Sequence, residues 1–137
     1  MNVHSLSESV KSVHGLSAAI TAAATNGAGT DCLGFENAKA IVYSAPSGTG
    51  TTSDWKLQES SDNSSFADVS GAAFTQITTV GGAKFYVMDI NLAKRLRYLR
   101  LVHTGAGGSA AGQAYGLIEL YNGRYNPVVQ ANTAFSV

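Results

Sequence analysis

The chain has 137 residues, and its nine Lys and Arg balance nine Asp and Glu for a formal net charge of zero. That length is one domain, and a chain of this mass buries about two thirds of its extended surface on folding, enough for a core without disulfides or metal. Neutrality argues against a general nucleic-acid binder or a protein held electrostatically on acidic membranes, and a charged fraction of only 13% argues against long, charge-laced helices.

From Met1 to about Val10 the sequence is polar and irregular, with Ser5, Ser7 and Ser9, and predicts a flexible arm over residues 1–11. It has neither the basic start nor the apolar stretch of a secretion signal, so synthesis in the cytoplasm is expected. Residues 12–25 are Ala-rich, but Gly15, the Thr residues and the following Asn26-Gly27-Ala28-Gly29 favour a strand ending in a turn over a short helix. After Gly34, short apolar runs separated by turn-forming clusters predict strands over 38–44, 55–59, 66–69, 74–78, 85–90, 98–104 and 114–121. Trp55 and Leu57 alternate with Lys56 and Gln58, and Leu99 and Leu101 alternate with Arg100, as half-buried strands require. Residues 114–121 are apolar on both faces except at Glu119, which predicts a central strand covered on both sides. About eight short strands without intervening helices predict an all-β fold: an antiparallel β-sandwich, jelly-roll-like, over residues 12–126. Residues 127–137, with Pro127 and Val128-Val129, form a tail that either adds an edge strand or docks on a partner.

The residues offer little for catalysis. His4, His14 and His103 are far apart, no metal-binding spacing of Cys and His exists, and the nine carboxylates are scattered. No catalytic residue, cofactor site or metal site is therefore expected. Asp62-Asn63-Ser64 and Asp68 carry oxygen donors suited to Ca²⁺ but lack the distal Glu of an EF-hand loop, so an Asx turn in a hairpin is the plainer expectation. Gly105-Ala106-Gly107-Gly108-Ser109-Ala110 matches the dinucleotide fingerprint in letters only, because a strand-like run follows where a helix should begin. Cys32 is alone and reads as a small apolar filler.

Two clusters point instead to surface recognition. Lys94, Arg95, Arg97 and Arg100 place four of nine basic residues within seven positions. Strand alternation would send Arg95 and Arg97 to one face, either as a contact for an acidic partner or phosphate, or as a solvated strand end balanced by Asp89 and Glu119. Tyr115, Tyr121, Arg124 and Tyr125 are of the types enriched at protein interfaces. Lys94, Arg95, Arg97, Tyr121, Arg124 and Tyr125 are the candidate partner-interface residues.

The run from Trp55 to Val69, the following Gly71-Ala72-Ala73-Phe74, and Lys94 to Arg100 resemble small virion proteins of tailed bacteriophages, of the capsid decoration or cement type. The same strand, Ser-Asp turn and Phe-x-x-Val pattern also looks like the discoidin-type galactose-binding domain, although the loops here are Gly, Ser, Thr and Ala. The phage resemblance implies a compact β-fold on the virion surface that acts without catalysis. Its partners would be the major capsid protein and copies of itself, with no nucleic acid, membrane or cofactor. The alternative is a tail- or fibre-associated sandwich that binds host glycans, with Ca²⁺ near Asp62.

Overall fold

The period of two that marks a half-buried strand runs through most of the chain. In the computed structural model, which describes residues 9–107 and 109–124, it produces ten strands: β1 (Val10–Ala19), β2 (Ala24–Asn26), β3 (Thr30–Asp31), β4 (Phe35–Ser47), β5 (Thr52–Ser60), β6 (Ala67–Ala73), β7 (Ile77–Thr78), β8 (Lys84–Asn91), β9 (Tyr98–Ala106) and β10 (Ala111–Gly123). Two short 3₁₀ turns flank β8, at Thr79–Gly81 and Leu92–Lys94. The protein is an all-β sandwich of two antiparallel sheets.

One sheet has the order β1-β10-β4-β8 and the other β2-β9-β5-β6, with β3 added to β9 and β7 to β5. The pairing follows a folded ribbon. β5 pairs with β6 across a hairpin, β4 with β8, β2 with β9, and β1 with β10. Rolling that ribbon brings β10 against β4 and β9 against β5, which closes the two sheets. With β2 and β3 counted as one interrupted strand and β7 as an appendage, this is the eight-stranded jelly roll expected from the sequence.

The core lies between the sheets. β4 sends Ala38, Ala40, Val42 and Ser44 inward, and β10 sends Ala114, Gly116, Ile118 and Leu120. Facing them are Trp55 and Leu57 of β5 and Leu99 and Leu101 of β9, all essentially inaccessible to solvent. Each such large apolar side chain contributes about 1.5–3 kcal/mol through burial. The small residues on the four-stranded sheet make room for the large ones opposite. A Cβ on Gly116 would stand only 2.7 Å from Leu101 Cδ1 and 3.1 Å from the Trp55 ring.

The strand expected at 66–69 runs on through Ala73, because Gly71 at φ 76° bends β6 where its register with β5 shifts between Lys56 and Gln58. The strand expected at 74–78 is reduced to Ile77–Thr78. Val10 and Lys11, placed in the arm by the sequence reading, pair with Tyr121 and Leu120 as the start of β1. Residues 1–8 of the expected arm, and all of the expected tail, lie outside the described residues.

The connections divide the sandwich into two ends. The Gly-rich turn at 48–51 and the β9–β10 connection share one end with the start of β8. The start of β1, the β8–β9 connection and the end of β10 share the other, where Gly123 is opposite Phe35 and Val10 opposite Tyr121.

Candidate functional site

Because successive side chains alternate, the residues of β4, β8 and β10 that do not enter the core form rows on the outer face of the four-stranded sheet. One row is Ser17, Tyr115, Tyr43 and Phe85, each opposite the next across neighbouring strands. The row beside it is His14, Leu117, Ile41 and Val87. Tyr43 and Tyr115 stack with ring centroids 6.4 Å apart and planes 25° from parallel. Phe85 is 60% exposed, Val87 and Tyr115 46%, and Tyr43 38%, which is far above what a covered sheet face shows. A third row, Ser12, Glu119, Lys39 and Asp89, bounds the apolar strip with charge, and Lys39 Nζ lies 3.9 Å from Asp89 Oδ1.

The sequence predicts a central strand over 114–121, and β10 lies between β1 and β4. It also predicts that both faces of that strand are covered. Only the face bearing Ala114, Ile118 and Leu120 is buried; Tyr115 stands exposed, with Leu117, Glu119 and Tyr121 partly so. Tyr and Phe bury large area at low entropy cost and the sheet beneath them is already ordered, so this face is physically suited to contact with another surface. Alternation in β4 and β8 carried the signal for Tyr43 and Phe85, but only the register shows that they share a row with Tyr115.

The basic cluster has a different character. Residues 95–97 precede β9 and do not alternate as a strand, so Arg95 and Arg97 reach to opposite neighbours. Arg95 lies 3.6 Å from Glu59 of β5, whose other carboxylate oxygen accepts the Leu96 N–H. Arg97 donates twice to Asp31 of β3, from Nε at 3.0 Å and from Nη2 at 2.7 Å, which holds the Asp31 carboxyl below its usual range and raises the guanidinium. Arg100 donates to Gln58 at 2.8 Å and lies 4.1 Å over the Phe66 ring. Lys94 is exposed at the end of its 3₁₀ turn, and with Arg95 it lines a groove between β6 and β8 of about 320 Å³.

Tyr121 lines a shallow recess with Val10, Lys39 and Glu119, and Arg124 one with Phe35, Asn91 and Leu92; the Arg124 N–H donates to the Gly34 carbonyl at 2.8 Å. Lys94, Arg95, Arg97, Tyr121 and Arg124 thus gather at one end of the sandwich, on separate rims. Tyr125 lies outside the described residues.

The remaining chemical groups are occupied. Asp62 Oδ1 accepts the Ser60 hydroxyl and the Ser64 and Ser65 amides, which is an Asx turn in the β5–β6 hairpin and lowers the carboxyl to about 2. Cys32 is buried, with its thiol pushed up to about 12, chiefly by desolvation. Among the described residues no three of His, Cys, Asp and Glu converge on a common point. Ser53 Oγ and His103 Nε2 are 2.8 Å apart, a distance that suits proton transfer, but both are wholly enclosed between the sheets beside Trp55.

These features define a class: a jelly-roll domain with an exposed aromatic sheet face and a charged end. No family model matches the sequence, and no curated protein matches it. Among solved structures, the chain is similar over 99% of its length to the PBSX exported protein XepA, at 18% identity and a TM-score of 0.61. It spans 45% of that chain, less than half its length. The SPBc2 prophage-derived protein YomS matches over 87% of this chain and 98% of its own, at 12% identity and a TM-score of 0.50. At these identities the likeness is one of fold.

Proposed function

We propose that the protein is a bacteriophage structural protein that acts by docking and not by catalysis. In its specific form it is a capsid decoration protein, seated on the outer surface of the major capsid protein shell and stabilising it. The observation that carries this reading is the exposed row Tyr115, Tyr43 and Phe85, with Leu117, Ile41 and Val87 beside it, on a sheet whose opposite face is core. A rigid, largely flat apolar strip bounded by Lys39, Asp89 and Glu119 suits a broad protein surface better than a small molecule, which needs a concave pocket. The fold likeness to a prophage-derived protein supports a phage origin. Many copies on a shell make modest contacts sufficient through avidity.

Co-sedimentation with shells of the phage capsid protein tests the reading. Saturable binding to expanded shells, with a higher temperature of shell disruption, is the expected result. Absence of binding, together with retention on a host-glycan array, would assign the protein to the tail or fibre instead. A second reading follows from the likeness to XepA, whose name describes it as exported: release from the host cell, free of the particle. Recovery in the culture medium apart from virions would favour it.

A further inference from the structure

An edge strand offers unpaired N–H and C=O groups to any other strand, and folded proteins block that pairing with bulges, interruptions or charge. Among the described residues, three of the four sheet edges carry such a device. β1 shifts register between His14 and Leu16, and its outward residues include Ser12, His14 and Ser17. β6 shifts register against β5 and bends at Gly71. The edge along β9 is split into β2 and β3 by residues 27–29. β8 has neither a bulge nor an interruption, and its two charged residues, Lys84 and Asp89, flank the stretch Phe85 to Met88 and leave it uncharged. It is the outermost strand of its sheet, its eight residues pair with β4 without a shift from Lys84 to Asn91, and its outward side chains include the exposed Phe85 and Val87.

We propose that the partner of this edge is a second copy of the chain. β8 pairs antiparallel with β8 of the other molecule about a two-fold axis at Tyr86, joining two four-stranded sheets into one of eight strands. Opposed residues in an antiparallel pair share a face, so only registers that match outward with outward residues are allowed. With Tyr86 opposite Tyr86, each Phe85 meets Val87 of the second copy, giving two aromatic to β-branched pairs, and Lys84 meets Met88. Moving the axis to Val87 would set Phe85 against Asp89. The Tyr86 register also leaves Asp89 to its contact with Lys39. It joins the row Tyr115, Tyr43 and Phe85 to Val87, Ile41 and Leu117 of the other copy, so the apolar strip becomes continuous across the dimer. The contact is isologous and closed, which limits assembly to two copies at this edge.

Sedimentation velocity over a concentration series tests the interface, with circular dichroism as a check on folding. The wild-type chain is expected to dimerise and Val87→Lys, at an exposed position, to be a folded monomer. Phe85→Cys mixed with Val87→Cys under mild oxidation should give a disulfide-linked heterodimer that neither variant yields alone, since the buried Cys32 does not compete. A monomeric wild type, a Val87→Lys variant that still dimerises, or equal cross-linking by either cysteine variant alone would overturn the proposal. The inference does not depend on shell binding: a dimer that ignores shells leaves it standing, and a monomer that binds them does not rescue it.

Discussion

Ser53 Oγ and His103 Nε2 meet at 2.8 Å in the space between the sheets. Ser53 donates its hydroxyl proton to Ser44 Oγ at 2.7 Å, and Ser44 also accepts the Trp55 indole N–H at 2.8 Å. His103 Nε2 completes the chain at Ser53, while Nδ1 is buried and, among the described residues, without a partner. The four side chains cross-link β4 of one sheet to β5 and β9 of the other. This polar tie sets the relative position of the sheets in a core otherwise made of apolar contacts.

Protonating His103 would add a buried charge and a second donor with no acceptor. Desolvation accordingly lowers its pKa from 6.5, against a smaller opposing pull from Asp54. Its contribution to stability is complete above the unfolded value and is lost as pH falls below it, because the unfolded chain then binds a proton that the folded chain refuses. Thermal unfolding should show Tm falling from about pH 7.5 to about pH 5.5, and His103→Gln, though less stable overall, should flatten that slope. The carboxylates with lowered values, Asp31, Asp62 and Asp68, act in a more acidic window, below 3.8.

Gly116 of β10 lies directly against Leu101 and Trp55 of the facing sheet. Any side chain there must displace the Leu101 methyl, which can rotate, and the Trp55 ring, which is pinned by its bond to Ser44. Gly116→Ala should lower stability by about 1–3 kcal/mol in urea titration. An unchanged midpoint would show that the sheets can separate at little cost.

The two-point contact between Arg97 and Asp31 ties β3 to the start of β9, and both side chains are about 45% exposed. Solvent screens such a pair. Arg97→Ala should cause only a small loss of stability, most visible at low ionic strength and erased in concentrated salt. It should leave shell binding intact, since Arg97 is spent on Asp31 and lies away from the aromatic face.

The jelly roll was legible because its strands announce themselves by alternation: Trp55 and Leu57 against Lys56 and Gln58, and Leu99 and Leu101 against Arg100. Turn chemistry marked the Asp62 loop correctly. Strand ends were less legible, since Phe35 and Glu36 extend β4, and Asn122 and Gly123 extend β10, through pairing that composition does not encode. The expected shared face of Arg95 and Arg97 failed because the chain leaves the 3₁₀ turn at Leu92–Lys94, capped by the Asn91 side chain on the Ala93 N–H, as an irregular segment, and β9 begins only at Tyr98. The aromatic row was hidden for another reason. Tyr43, Phe85 and Tyr115 come from three distant segments, and only the register of β4 with β8 and β10 makes them neighbours.

The affinity of the Tyr43→Ala, Tyr115→Ala double variant for capsid shells tests docking through this face most directly. Both residues lie on inner strands and neither is on β8, although Tyr43 is opposite Phe85, and both are exposed, so folding and the β8 backbone pairing should be retained. Loss of two central aromatic anchors should weaken shell binding by roughly 30-fold or more, with the far-ultraviolet spectrum unchanged. Wild-type affinity in a correctly folded double variant would contradict the account.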